Sequence, residues 1–193
     1  AASESNLALD PDADTYYLML SVTDALPRLG DAVGRMRALG AASAQLGTPP
    51  YGVVRRLHQA DTLAEEYLTR LGVALNRVAA ANPAAVNGLD LQLNDRIRKD
   101  YRQKFAQSFV LGEPPKVDAG EWFALGTAQI AAIDKLGRAA EARLSELVQA
   151  RVDRLSRDLW KAMVLAAVFV TIAVYALVSY YLASRSTCAA LGR

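Results

Sequence analysis

The stretch LDPDADTYYLM places Asp10, Asp12 and Asp14 at alternate positions, the spacing that opens a calcium loop. An EF-hand loop starting at Asp10 needs glycine at its sixth position and glutamate at its twelfth, where this chain has Thr15 and Ser21. Pro11 also fixes the backbone early in such a loop. The aspartates therefore read as a turn, with Asp12 or Asp14 capping a helix and complementing its positive end. His58 is the single histidine and Cys188 the single cysteine, and there is no glycine-rich phosphate loop. Nucleophile–base pairs, zinc sites and nucleotide sites lack their parts. The sequence predicts no catalytic residues, no metal site and no cofactor, and so a chain that is not an enzyme.

Basic side chains are the remaining candidates for chemistry. Arg35 and Arg37 lie close together, and Arg96, Arg98, Lys99, Arg102 and Lys104 crowd a later segment. Arg37 lies roughly nine residues short of its helix end, and the same depth on the other helices brings in Asp61, Arg102 and Thr127. His58, Tyr101 and Trp122 fall close to that level. Guanidinium groups beside hydroxyls and aromatic rings suit a small carboxylate or an inorganic anion. The candidate ligand-binding residues are Arg35, Arg37, His58, Arg102, Trp122 and Thr127.

The elements that must position these residues read as helices. Leu18, Val22, Ala25, Leu29, Val33, Met36 and Leu39 recur at steps of three or four, giving an amphipathic helix from Asp14 to Gln45. Pro27 removes a backbone donor inside it, which predicts a kink or break between Thr23 and Pro27. LGTPPYG ends it. A second helix runs from Val53 to Ala81, with Leu57, Ala64, Leu68, Leu71, Leu75 and Val78 on its apolar face. ANPAAVNG interrupts the chain before a third helix from Leu89 to Leu111, whose face is Leu93, Ile97, Tyr101, Phe105 and Phe109. After GEPPKVD, Asp118 and Glu121 have capping-box spacing for a fourth helix starting near Ala119. Its stripe runs through Ile130, Ile133, Leu136, Ala140, Leu144, Leu147 and Val148, then Val152, Leu155 and Leu159.

No stop signal separates that stripe from AMVLAAVFVTIAVYALVSYYLA, residues 162–183, which holds no charge, proline or glycine. As a helix this run rises about 33 Å, matching a hydrocarbon core of about 30 Å. Trp160, Tyr180 and Tyr181 sit where interfacial aromatics belong. Arg151, Arg154, Arg157 and Lys161 precede the span and Arg185 and Arg193 follow it, so counting basic residues alone puts the N-terminal side in the cytoplasm. The expected fold class is all-α: an antiparallel four-helix bundle whose last long helix continues into a single transmembrane helix. A net charge of +2 with no long basic run argues against a nucleic-acid partner. The chain opens at Ala1 without methionine and closes at Gly192-Arg193, which suggests a piece of a longer protein.

SNLALDPDADTYYLM followed by LPRLGDAVGRMRALGA resembles a segment of bacterial transmembrane receptors with all-helical extracytoplasmic sensor regions. These are methyl-accepting chemotaxis proteins and some sensor histidine kinases. VDAGEWFALGTAQIAAIDKL, then a long helix and a span, is similar to the later part of the same regions, so the resemblance covers nearly the whole chain. SRSTCAALGR looks like the start of a cytoplasmic HAMP linker. The resemblance implies an N-terminal linker at 1–13, a sensor domain at 14–160, a transmembrane helix at 162–183 and the HAMP-type linker from 184 to 193. It further implies a homodimer in the bacterial inner membrane, with its bundle in the periplasm and its C-terminus in the cytoplasm. The expected partners are a small anionic ligand or a periplasmic binding partner, membrane lipid, and a cytoplasmic kinase pathway reached through an output domain. The expected role is the ligand-sensing input of a chemoreceptor. The same input would suit a sensor histidine kinase or a diguanylate cyclase. A reading of another class is a membrane-anchored structural or adaptor bundle without a small ligand.

Overall fold

The computed structural model describes residues 13–191, with side chains through residue 180. Among the described residues all regular structure is helical, with no strand. It divides into two units, the first ending at Leu147 and the second beginning at Val148.

Helix α1 covers residues 13–46 and contains a π turn, Ser21–Ala25, between Ala13–Leu20 and Leu26–Leu46. The predicted disturbance before Pro27 is this π turn. The proline has no N–H and its ring crowds the carbonyl four residues back, so the backbone widens. Leu26 N–H accordingly bonds to Ser21 O, five residues back. The Ser21 and Thr23 hydroxyls donate to the carbonyls of Tyr17 and Met19 at 2.9 and 2.8 Å, binding acceptors next to the widened turn. Gly47 ends α1 at φ +65°, a conformation that costs glycine little.

Helix α2, Tyr51–Ala81, buries the whole predicted face from Leu57 to Val78, with Ala60, Tyr67 and Ala74 added to it. After a 3-10 turn at Pro83–Val86 comes α3, residues 93–108, with a π segment at Ile97–Arg102 between Leu93–Arg96 and Gln103–Ser108. This helix is shorter than predicted at both ends. Gly88, at φ +82°, and the turns after it precede the start, and Phe109 leaves helical geometry at φ −122° and ψ 64°. Leu93, Ile97, Tyr101, Phe105 and Phe109 are nevertheless all buried. Their strict spacing of four would drift by about 40° per step around a regular α-helix. The wider π segment drifts the other way and holds the row toward the core.

Helix α4, Ala119–Leu191, begins at the predicted cap. Asp118 Oδ1 accepts from the N–H groups of Gly120 and Glu121 at 2.8 and 3.0 Å. The Glu121 side chain pairs with Lys104 of α3, so it serves as an inter-helix contact.

Side-chain contacts set the register of neighbouring helices. Between α1 and α2, Asp14 accepts from Asn82 at 2.7 Å, Arg77 donates to Tyr17, and Arg28 to Tyr67 at 3.3 Å. Between α2 and α3, Asn94 donates to Leu68 O at 3.0 Å, Arg98 meets Glu65 and Arg102 meets Asp61. Between α1 and α4, Trp122 Nε1 donates to Met36 O at 3.0 Å, and Ile130 and Ile133 lie beside Gly34 and Gly30. In each pair one residue number rises as the other falls. The core they enclose is mainly aliphatic, with Trp122, Tyr101, Phe105 and Phe109 clustered at one level.

The second unit is a stretch of α4. Val152, Leu155 and Leu159 are 51, 58 and 66% exposed there. Beyond them the helix is long and apolar enough to cross a membrane.

Gly40 gives a direct test of the α1–α4 contact. A Cβ at this position would lie 2.1 Å from Trp122 Nε1, whereas one at Gly137 meets nothing within 4 Å. Gly40→Ala is expected to destabilise the chain by about 3 kcal/mol through overpacking, and Gly137→Ala to stabilise it by up to about 1 kcal/mol through helix propensity. Thermal unfolding of the two variants checks both signs.

Candidate functional site

The six predicted ligand-binding residues fall into separate settings. Arg37, Trp122 and Thr127 share the α1–α4 contact. Arg37 Nη1 donates to Thr127 Oγ1 at 3.1 Å, and its guanidinium carbon lies 4.6 Å from the centre of the Phe123 ring. The close approach rests on Gly126, where a Cβ would come within 2.7 Å of Arg37 Cβ and 3.0 Å of Tyr101 Oη. Trp122 is fully buried, stacks on Tyr101 at 4.6 Å and gives its N–H to Met36 O. It is a core residue with no surface for a ligand. The Tyr101 hydroxyl is buried beside Arg37, and burial pushes its pKa above the usual phenol value; the Arg37 charge opposes that rise and Asp61 adds to it.

His58 is held by the chain itself. Its Nε2 lies 3.0 Å from Phe109 O, and a carbonyl only accepts, so this nitrogen carries the proton in that bond. The imidazole also meets Phe105 edge-on, with centroids 5.0 Å apart. Arg102 is likewise engaged. Its Nε and Nη2 donate to the two oxygens of Asp61 at 2.6 and 2.9 Å, and Nη1 reaches Glu65. The hydrogen bond to Asp61 outweighs the effect of burial and raises the Arg102 pKa further. Arg98 adds a second guanidinium on Glu65 at 3.0 Å. Burial disfavours the Glu65 carboxylate, yet the Arg98 hydrogen bond and the charges of Arg102 and Arg98 hold its pKa below the ordinary 4.5. Arg98 and Arg102 therefore clamp α3 to α2 across the π segment.

Arg35 stands apart. Its contact with Asp31 one turn away, at 2.8 Å, is exposed on both sides. Together with Arg56, Gln59 and Thr62 of α2 it lines an open groove of about 560 Å³. Sequence reasoning missed Arg56, Gln59 and Leu63 as companions of Arg35. The available signal was their spacing of three to four along α2 with Leu63 breaking a polar face. Among the described residues, no three His, Cys, Asp or Glu side chains converge as metal ligands. Asp14 is engaged by Thr15 N–H at 2.8 Å and by Asn82, while Asp10 and Asp12 lie outside the described residues.

Two expectations follow from the clamp. Arg102→Gln leaves Asp61 and Glu65 facing each other's charge and costs about 2 kcal/mol of stability; Asp61→Asn in the same chain recovers part of it, as a double-mutant cycle in urea would measure. Glu65 has a depressed pKa in the folded chain, so the unfolded chain binds more protons in acid. Its contribution is complete above pH 4.5 and is lost as pH falls through the folded value. Glu65→Gln is expected to flatten the acid side of the melting-temperature profile. Comparison of the chain with protein-family models, with curated proteins and with solved structures finds no match.

Proposed function

We propose that this chain is the sensory input region and adjoining membrane span of a bacterial transmembrane receptor of the chemotaxis type. The observation that carries this reading is α4. One helix places Trp122, Ile133 and Leu136 in the packed core and then supplies an apolar run long enough to cross a bilayer. In this reading the four helices form an antiparallel up-down bundle in the periplasm, as part of a homodimer. The span lies in the inner membrane, and the C-terminal end enters the cytoplasm as a HAMP-type linker toward an output that controls a histidine kinase. This orientation follows the receptor resemblance and reverses the one given by the basic flanks. The chain binds and transmits rather than doing chemistry. Binding that favours one arrangement of α4 over another shifts it along or about its axis, and the helix carries that displacement into the membrane.

Topology is the first measurement. In intact cells a membrane-impermeant thiol reagent is expected to label Thr48→Cys in a Cys188→Ser background and to leave native Cys188 untouched until the membrane is opened. Labelling of Cys188 from outside would sink the proposed orientation. In a chain joined to a kinase-controlling output, Ala150→Pro is expected to abolish the ligand response while ligand binding persists, because proline interrupts α4. A retained response would refute transmission through this helix.

A further inference from the structure

We propose that the groove between α1 and α2 is the ligand site, and that it takes an organic carboxylate with a compact apolar body. This deepens the sensor reading by giving its ligand a place and a chemistry. Arg35 comes from α1 and Arg56 from α2, and among the described residues no carboxylate lines the groove. Three other grooves of the same unit each include one or more: Asp134 and Glu141, Asp24, and Glu113. Charge thus singles out the Arg35–Arg56 groove for an anion.

Both guanidiniums are open to a new acceptor. The Arg35–Asp31 contact leaves the side chains 60 and 61% exposed, and such surface pairs contribute little, so a ligand carboxylate can replace Asp31 at small cost. Arg56 donates through Nε to Gly52 O at 3.2 Å and pairs with no carboxylate among the described residues. This bond leaves the paired terminal nitrogens, the edge of a guanidinium that matches a carboxylate.

The remaining lining selects the rest of the molecule. Leu39, Ala60 and Leu63 give the groove an apolar floor, and Gln59 supplies an amide at its side. An inorganic anion would satisfy the arginines and leave this floor wet. A neutral apolar molecule would cover the floor and leave two cations without a counter-charge. A carboxylate on a small hydrocarbon body satisfies both. The inner candidates do not compete for it, since Arg102 is clamped by Asp61 and Glu65 and Trp122 is sealed in the core.

Cyclohexanecarboxylate is a suitable probe, with cyclohexanecarboxamide and inorganic phosphate as comparisons. Each is titrated onto the full chain in lipid nanodiscs, with empty nanodiscs as the blank, and saturation-transfer NMR reports contact. The carboxylate is expected to bind saturably, and the amide and phosphate about tenfold or more weakly, the amide for loss of a charge-assisted pair and phosphate for loss of the apolar contact. Arg35→Gln and Arg56→Gln should each weaken binding about tenfold with unchanged melting temperature, and Leu63→Asn should weaken the carboxylate while leaving phosphate unaltered. Three results would overturn the proposal: equal binding of the amide, equal or tighter binding of phosphate, or wild-type affinity in both arginine variants. Absence of saturable binding up to about 10 mM would do the same. Binding that is intact in a chain giving no downstream response keeps this site and removes the sensor reading. A response to a ligand that ignores both arginines keeps the sensor reading and removes this site.

Discussion

The packing of the first unit depends on one side chain lying where another is missing. The indole of Trp122 occupies the space that a Cβ at Gly40 would need, and its N–H reaches Met36 O one turn away. That bond gives the buried indole donor of α4 an acceptor on α1, so it is not left unpaired. Tyr101 and Phe109 then close on the indole from the α3 side, one stacked and one edge-on. Because Gly126 admits Arg37 one turn further along α4, the α1–α4 spacing is fixed at two successive points. The ion pairs of α2 and α3 complete the arrangement from the opposite side.

Much of this was legible as periodicity. The buried face of α2 and the start of α4 at Asp118 lie where the residue spacing places them. Pro27 also announced a backbone disturbance, and chemistry explains the form it took: a proline inside a helix that stays helical forces a wider turn. The π segment in α3 was written less openly. Five apolar residues at unvarying steps of four are a poor match to 3.6 residues per turn. That mismatch was present in the sequence, but a short run of fours looks like an ordinary amphipathic face unless its drift is followed. The ends of α3 were overestimated because Leu89, Phe109 and Leu111 are apolar, and apolarity marks burial without specifying helix.

The candidate site was harder to read for a different reason. Whether an arginine is available to a ligand is decided by carboxylates on other helices. Arg102 and Arg35 look alike in sequence, yet Arg102 meets Asp61, forty-one residues away, while Arg35 meets Asp31 in its own helix. Depth along a helix set Arg37 and Thr127 at one level, and the two share a hydrogen bond. It also counted Trp122 as a neighbour of the site, though the missing Cβ of Gly40 takes that indole into the interior. Arg56 escaped notice because its partner across the groove is recognised only once α1 and α2 are docked.

The π segment of α3 has a consequence for how this chain tolerates changes in length. A π turn carries one residue more than an α turn. Deleting one residue within Ile97–Arg102 could therefore restore regular helix and leave Phe105 on its face, as though an old insertion had been undone. The same deletion in the middle of α2 would swing every later side chain by about 100° and expose Leu71, Leu75 and Val78 together. The helix that looks least regular is thus the one best able to lose a residue without losing its partners.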